Sequence, residues 1–425
     1  MLMLRRARDS FHYRTGLAIG TIESVTARAW RNIKCTFGLG PVQHLKNNGS
    51  DSRGRALLCY VHLPVRGQRE VHSAAVMAQE IANSLSDHGW QVDVIPWHEQ
   101  HLPRRILGKT ANYDLVIGFG PLFESICKER SVPRRIHFAT GAHHSFQENA
   151  ELGRIAGFME RTGKLLLPRR TLDRVFPHSL IFSQRILLIG NSWTRSTYTT
   201  PITPITCIDP PTNIHRDETD PPGAGNQWNG IIWFGSPGML HKGLDLLIEA
   251  MAGLGPEVEL HICGDCPEET DFWEHYSRLP SNIHRHGFVH PDSAMAKDLF
   301  RKCGFVALPS CSEGMSTGVL TCMATGLIPL VTRECGLDVE GIGYLIPTPT
   351  VEGVMTAIRS ALAEPRPLLA QRSLAAIRRV QERHSRTRFR EQIVDALGAE
   401  GVIGRGARAA ADGKPKPAAQ TADIP

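Results

Sequence analysis

Twice along this chain, short apolar runs alternate with longer amphipathic stretches, and that alternation limits the fold more than any single motif does. Residues 57–63, "LLCYVHL", read as a buried strand, "PVRGQREVH" as a turn, "SAAVMAQEIANSLSDHG" as a helix and "WQVDVIPW" as the next strand. Further strands are expected at "YDLVIGFG" (113–120), "RRIHFATGAHH" (134–144) and "RILLIGN" (185–191), separated by helix-compatible stretches. The segment 200–230 is crowded with Pro, Gly and polar residues and reads as a linker.

The second series starts at "IIWFG" (231–235). It runs through "SPGMLHKG", the helix "LDLLIEAMAGL", and strands at 258–264, 282–289, 304–310 and 327–332. Helical pattern returns at 351–363 and 382–397. Strands alternating with helices imply parallel sheets with helices on their faces, so the fold class is α/β with two Rossmann-like domains facing each other across a cleft. The expected organisation is a basic arm (1–55), a first domain (56–208), a linker (209–229), a second domain (230–400) and a disordered tail (401–425). A chain of 425 residues has ample length for two cores.

The formal charge of +6 is unevenly placed. Residues 1–55 hold ten Lys/Arg against Asp9, Glu23 and Asp51, a net of about +7, which leaves the remaining chain near neutral. A neutral body argues against a nucleic-acid partner, while the arm allows peripheral contact with an anionic membrane. No uncharged apolar run approaches the roughly 20 residues that span a bilayer, so a cytoplasmic location, or one peripheral to the inner face of the membrane, is expected. Ten scattered cysteines fit reduced thiols. Cys263 and Cys266 form the one C-x-x-C, without a second pair to complete a zinc site, and His284, His286 and His290 read as strand alternation and a turn.

Ligands bind such sheets beyond the carboxyl ends of their strands, and the polar motifs fall there. After strand 231–235, the Gly235–Gly243 turn brings Ser236, His241 and Lys242 to a helix start, a place suited to a phosphate. After strand 304–310, Glu313 precedes Gly314, Met315, Ser316, Thr317 and Gly318 at another helix N-terminus. A solvated lysine or a simple N-cap would explain either loop alone. Both at one sheet edge favour a diphosphate site.

The run "FGSPGMLHKGLDLLIEAMAGL … VELHICGD … NIHRHGFVH … LFRKCGFVALPSCSEGMSTGVLTCMATGLIPLVT", about residues 230–363, resembles the second domain of the group 1 glycosyltransferases, a bacterial-type retaining family with the GT-B fold. The first half agrees through "VHSAAVMAQEIANSLSDHGWQVDV" and "FATGAHHSF". The resemblance implies transfer of a sugar from a nucleoside diphosphate sugar to a hydroxyl of a glycan, lipid-linked or other acceptor, in polysaccharide or cell-envelope biosynthesis. It implies that Lys242 contacts the donor diphosphate, that Glu313 faces the donor sugar, that the 314–318 backbone completes the anion site, and that His143 or His144 approaches the sugar from the other wall.

Two positions depart from the family's pattern: Thr321 stands where the second acid of E-x7-E would bind ribose, and Ser236 where an arginine often accompanies the lysine. No D-x-D occurs, so metal independence and no cofactor are expected. The rival readings are a catalytically weak nucleotide-sugar-binding scaffold, suggested by Ser236 and Thr321, and a nucleotide-sugar epimerase of the same fold. A dinucleotide-dependent oxidoreductase lacks its G-x-G-x-x-G.

Overall fold

The computed structural model describes residues 43–45, 52–63, 72–98, 113–171, 175–199, 202–212, 227–264, 266 and 269–403. Most of the basic arm, the linker segment 213–226 and residues 404–425 of the tail lie outside the described residues, as do 64–71 of the first turn.

The first sheet contains β1 (Gln43–Leu45), β2 (Gly54–Tyr60), β3 (Trp90–Pro96), β4 (Leu115–Gly118), β5 (Arg134–Ala139), β6 (Arg185–Ile189) and β7 (Ile205–Ile208), in the order β1-β3-β2-β4-β5-β6-β7. All pairings are parallel except β1 with β3. The second contains β8 (Gln227–Phe234), β9 (Glu259–Cys263), β10 (Ile283–Gly287), β11 (Cys303–Leu308), β12 (Ile328–Val331) and β13 (Tyr344–Leu345), ordered β10-β9-β8-β11-β12-β13 and wholly parallel. In both sheets the strand order reverses beside the first parallel strand, between β2 and β4 and between β8 and β11, and a crevice forms at such switch points.

The central strands read as unbroken apolar runs because helices cover both faces: Leu115–Gly118, Cys303–Leu308 and Ile328–Val331 are buried at every position. Helix α1 (Ser73–Asp87) buries Met77, Ile81 and Leu85 at four-residue spacing, and the His72 ring caps its start by accepting the Ala74 amide at 3.1 Å. The next helices of the first half are α2 (Pro121–Glu129), α3 (His144–Thr162), α4 (Pro177–Ile181) and α5 (Ser192–Ser196). The second half carries α6 (Leu244–Met251), α7 (Thr270–His275), α8 (Ala294–Lys302), α9 (Thr317–Ala324), α10 (Val351–Leu362), α11 (Arg366–Arg383) and α12 (Arg386–Ala399).

Three elements differ from the sequence expectation. Strand β7 lies inside the Pro-rich stretch read as linker, where only "ITCI" is apolar. Helix α11 lies between the two expected helical patterns; its buried face uses Ser373 and Ala376 beside Leu369, Ile377 and Val380, so its apolar signal is weak. The strand expected over 134–144 stops at Ala139, and the two histidines start α3 instead.

The sheets are joined by more than the cleft. Arg161 on α3 pairs with Asp245 at 2.5 Å and Glu249 at 2.8 Å on α6, and Arg154 donates to the Pro309 carbonyl at 2.8 Å. At the far end α12 returns to the first sheet's side, where Arg390 pairs with Glu80 at 2.8 Å and Asp87 at 3.0 Å on α1. No described helix is long and apolar enough to cross a membrane. The nine described cysteines form no disulfide, Cys263 and Cys266 among them.

Candidate active site

A cleft of about 620 Å³ opens where the carboxyl ends of the two sheets meet. That size suits a cofactor or small substrate. Tyr60, Trp97 and Phe119 line it beyond β2, β3 and β4, while Gly235, Gly264 and Glu313 line it beyond β8, β9 and β11. Phe288, 67% exposed, and His290 follow β10 at the same opening.

Glu313 and Lys242 form its polar centre. Lys242 Nζ lies 2.5 Å from Glu313 Oε1, and Ser310 Oγ donates to the same oxygen at 3.1 Å. The two side chains are only 8% and 12% exposed. Burial alone would raise the Glu313 carboxyl, but Lys242, then Arg170 and His241, outweigh it and hold it down to about 2. The carboxylate is therefore ionised at any working pH. His241 is pushed down to about 4 by burial, with Arg170 and Lys242 adding to the effect. Its neutral ring hydrogen-bonds the Ser312 carbonyl through Nε2 at 2.6 Å, tying the lysine's turn to the Glu313 loop.

The Gly235–Gly243 turn offers less backbone than its sequence suggests. The Gly238 and Met239 amides donate to the Glu269 carboxylate at 2.5 and 2.9 Å, and Glu269 is buried. The Gly235, Lys242 and Gly243 amides donate to the Cys263, Gly238 and Leu240 carbonyls. An internal carboxylate thus takes the place of an external anion at this turn, and what reaches the cleft is the ammonium of Lys242.

The second loop is different. Ser316 donates its amide to the Cys335 carbonyl and makes no side-chain cap, so the first amides of α9 have neither an intrahelical acceptor nor a capping oxygen. Gly318 has a packing role as well, since a Cβ there would lie 2.8 Å from the Phe234 carbonyl at the end of β8. Gly314 and Met315 line the cleft with Ser316, Thr317 and Gly318. A Cβ at Gly314 would collide with the Thr140 and Ile189 carbonyls of the first sheet. Gly314→Ala is expected to cost about 1–3 kcal/mol by overpacking, read as a lowered urea midpoint, and to impair any activity that needs both walls aligned.

Thr321 lines the cleft, but its hydroxyl donates to the Thr317 carbonyl at 2.8 Å, so only its lone pairs remain for a ligand. Ser236 also lines the cleft.

His143 and His144 do not line it. They sit at the start of α3, ring against ring at 4.1 Å, with the His143 ring edge-on to Tyr198 at 5.2 Å and its amide held by Thr197 Oγ1 at 2.9 Å. Both are shifted down by burial, His143 further by His144. The neighbouring Ala142 amide donates to the Glu313 carbonyl at 3.3 Å, which brings this loop next to the site without turning its imidazoles to the cleft.

Two first-half residues that sequence reasoning passed over do line the wall: His72 and Arg170. His72 could have been noticed as the polar residue just before an amphipathic helix. Its ring is shifted down by burial, then by Lys242 and Arg170. Ser73 beside it meets Thr317 across the cleft at 3.0 Å, hydroxyl to hydroxyl. Arg170 has no local sequence signal, standing in "LLLPRRTL" among residues without clear period.

Comparison with known proteins agrees with this geometry. The family described as "Glycosyl transferases group 1" matches residues 229–364. No curated protein matches the chain. Among solved structures, HepE of Anabaena in complex with UDP and glucose is 13% identical with a TM-score of 0.56, covering 82% of this chain and 100% of its own. A sucrose-phosphate synthase of Thermosynechococcus elongatus is 14% identical with a TM-score of 0.58, covering 82% and 99%. WaaG, a glycosyltransferase involved in lipopolysaccharide biosynthesis, is 16% identical with a TM-score of 0.52, covering 81% and 100%. At such identities these likenesses show the fold alone. The chain has the GT-B fold, and its residues 229–364 match the group 1 glycosyltransferase family.

Proposed function

We propose that the protein is a retaining, metal-independent glycosyltransferase that moves a sugar from a nucleoside diphosphate sugar to a hydroxyl of a glycan or lipid-linked acceptor. The observation that carries this reading is the Lys242–Glu313 pair, set at 2.5 Å between the strand ends of a two-sheet cleft and beside the uncapped start of α9.

Breaking the anomeric bond builds negative charge on the departing diphosphate and positive charge on the sugar. The α9 amides and Lys242 would meet the first; being fixed before the reaction, they need no reorganisation as charge develops. Glu313, ionised and anchored by Ser310, would orient the hexose hydroxyls or face the developing cation. With a donor bound, Lys242 would bridge phosphate and carboxylate. Phe288 offers an exposed ring to a nucleobase at the second domain's end of the cleft, and Thr321 an acceptor to its ribose.

His143 and His144 would reach the sugar only after the loop that holds them shifts; His72 is the imidazole already in the wall. Metal independence rests on the lack of a D-x-D in the sequence. Action at the cytoplasmic face of a membrane, with the basic arm on anionic lipid, is part of the same reading. It is supported by the charge placement alone.

A panel of nucleoside diphosphates and nucleotide sugars, screened by thermal shift with and without EDTA, tests donor binding. Stabilisation by at least one nucleoside diphosphate sugar, unchanged by EDTA, is expected. No shift with any member would remove the reading.

A further inference from the structure

We infer that Arg170, reaching in from the first domain's side, supplies the diphosphate-binding cation that Ser236 does not. This rests on the donor reading above and deepens it, because it places part of the donor site on the opposite wall.

Arg170 lines the cleft together with Lys242, Glu313 and His72, and it is half-buried there. Among the described residues its guanidinium has no hydrogen bond or ion pair, whereas the charge of Lys242 is already met by Glu313 at 2.5 Å. Of the two permanent cations that line the cleft among the described residues, Arg170 is the uncommitted one. A half-buried arginine without a partner is free to meet an anion, and a planar five-donor group in a cleft fits a phosphate or carboxylate best.

The chain around it is built to hold it in place. The Arg169 and Arg170 amides both donate to the Glu151 carboxylate, at 2.7 and 2.8 Å, and Glu151 is 3% exposed. Gln147 Nε2 donates to the Arg170 carbonyl at 2.5 Å. The aliphatic stem crosses Gly238, where φ is +96° and a Cβ would lie 3.0 Å from Arg170 Cγ and 3.2 Å from Cδ. Gly238 belongs to the same turn as Ser236 and Lys242, so the stem runs over the turn whose family arginine is missing. The field of the guanidinium reaches the groups of both walls: it lowers Glu313 and His241 on one side and His72 on the other.

Ser236 shortens one side chain of the turn, Gly238 removes another, and the space is crossed by an arginine anchored on a buried carboxylate of α3. A donor held by Lys242 from one domain and Arg170 from the other would also draw the two walls together.

The test is binding of UDP, inorganic pyrophosphate and uridine to the wild-type protein and to Arg170→Met, which keeps the stem's packing on Gly238 and removes the charge. UDP and pyrophosphate are expected to bind about ten- to a hundredfold more weakly to the variant, uridine equally to both, with a shallower salt dependence and partial recovery in Arg170→Lys. Unchanged UDP and pyrophosphate affinity in Arg170→Met would overturn the inference, and so would an equal loss for uridine, which marks general damage. A wild-type protein that holds neither pyrophosphate nor any nucleoside diphosphate of the panel above would remove the donor reading itself.

Discussion

Glu313→Gln is expected to lower kcat for sugar transfer about a hundred- to a thousandfold while leaving the donor KM unchanged or lower. The split follows from the ion pair. In the free protein Glu313 holds Lys242 at 2.5 Å, so a neutral amide at 313 frees the ammonium for the diphosphate while removing the charge that would face the sugar. Gln still accepts from Ser310 and Lys242, and the backbone bonds of residue 313, to the Glu334 carbonyl and from the Ala142 amide, do not depend on its side chain. The retained hydrogen bonds soften the loss of Lys242's counter-charge, so the variant should lose only about 1–2 kcal/mol of stability, far less than the expected fall in kcat. Steady-state kinetics with a bound donor, beside urea denaturation, checks both halves. An equal fall in kcat and stability would point to a structural carboxylate.

Lys242→Met should do the opposite, with a donor affinity loss of about a hundredfold and a stability loss of about 3 kcal/mol. The latter is the low end for orphaning one member of a buried pair, because Arg170 still acts on the carboxylate. It also has a pH signature. In the wild type the folded-state value of Glu313, about 2, lies below its ordinary 4.5, so the stability it contributes is complete above about 4.5 and lost as pH falls towards 2. Without Lys242 that value rises, and the variant's deficit relative to wild type should shrink as pH drops from 6 to 3. A constant deficit across that range would mean that the loss came from packing instead of charge.

The parallel sheets were legible because strands covered on both faces carry no polar alternation: "IIWF" and "GFVALP" announce themselves. The switch point was legible indirectly, as polar turns following strands. What could not be read was long-range. Glu269 lies more than 25 residues beyond the Gly238 turn, yet its carboxylate takes the amides that looked free for a phosphate. Two prolines beside "ITCI" concealed β7, and the small residues on α11's inner face hid that helix. A strand over 134–144 would carry His143 and His144 out to the cleft wall; its end at Ala139 instead leaves room for a turn that starts α3 and packs their rings against each other at a tilt.

The two departures from the family's pattern take on different weights in the structure. At Thr321 the hydroxyl proton is spent on the helix's own carbonyl, so on the proposed donor reading the side chain would meet a ribose only as an acceptor. At Ser236 the deficit in cation is local only, since Arg170 enters the same cleft from a loop that is distant in sequence. Pattern reading registers the substitution and misses the replacement, because nothing in "PRRTL" marks one arginine as inward-facing.

The most direct measurement is turnover. The purified protein, incubated with the nucleotide sugars that stabilise it and a set of hydroxyl acceptors, should release nucleoside diphosphate, give a product of retained anomeric configuration by NMR, and proceed unchanged in EDTA. The same assay with Glu313→Gln should fall to near background. Tight nucleotide binding with no release or transfer from any nucleotide sugar, or equal rates in wild type and Glu313→Gln, would contradict the account.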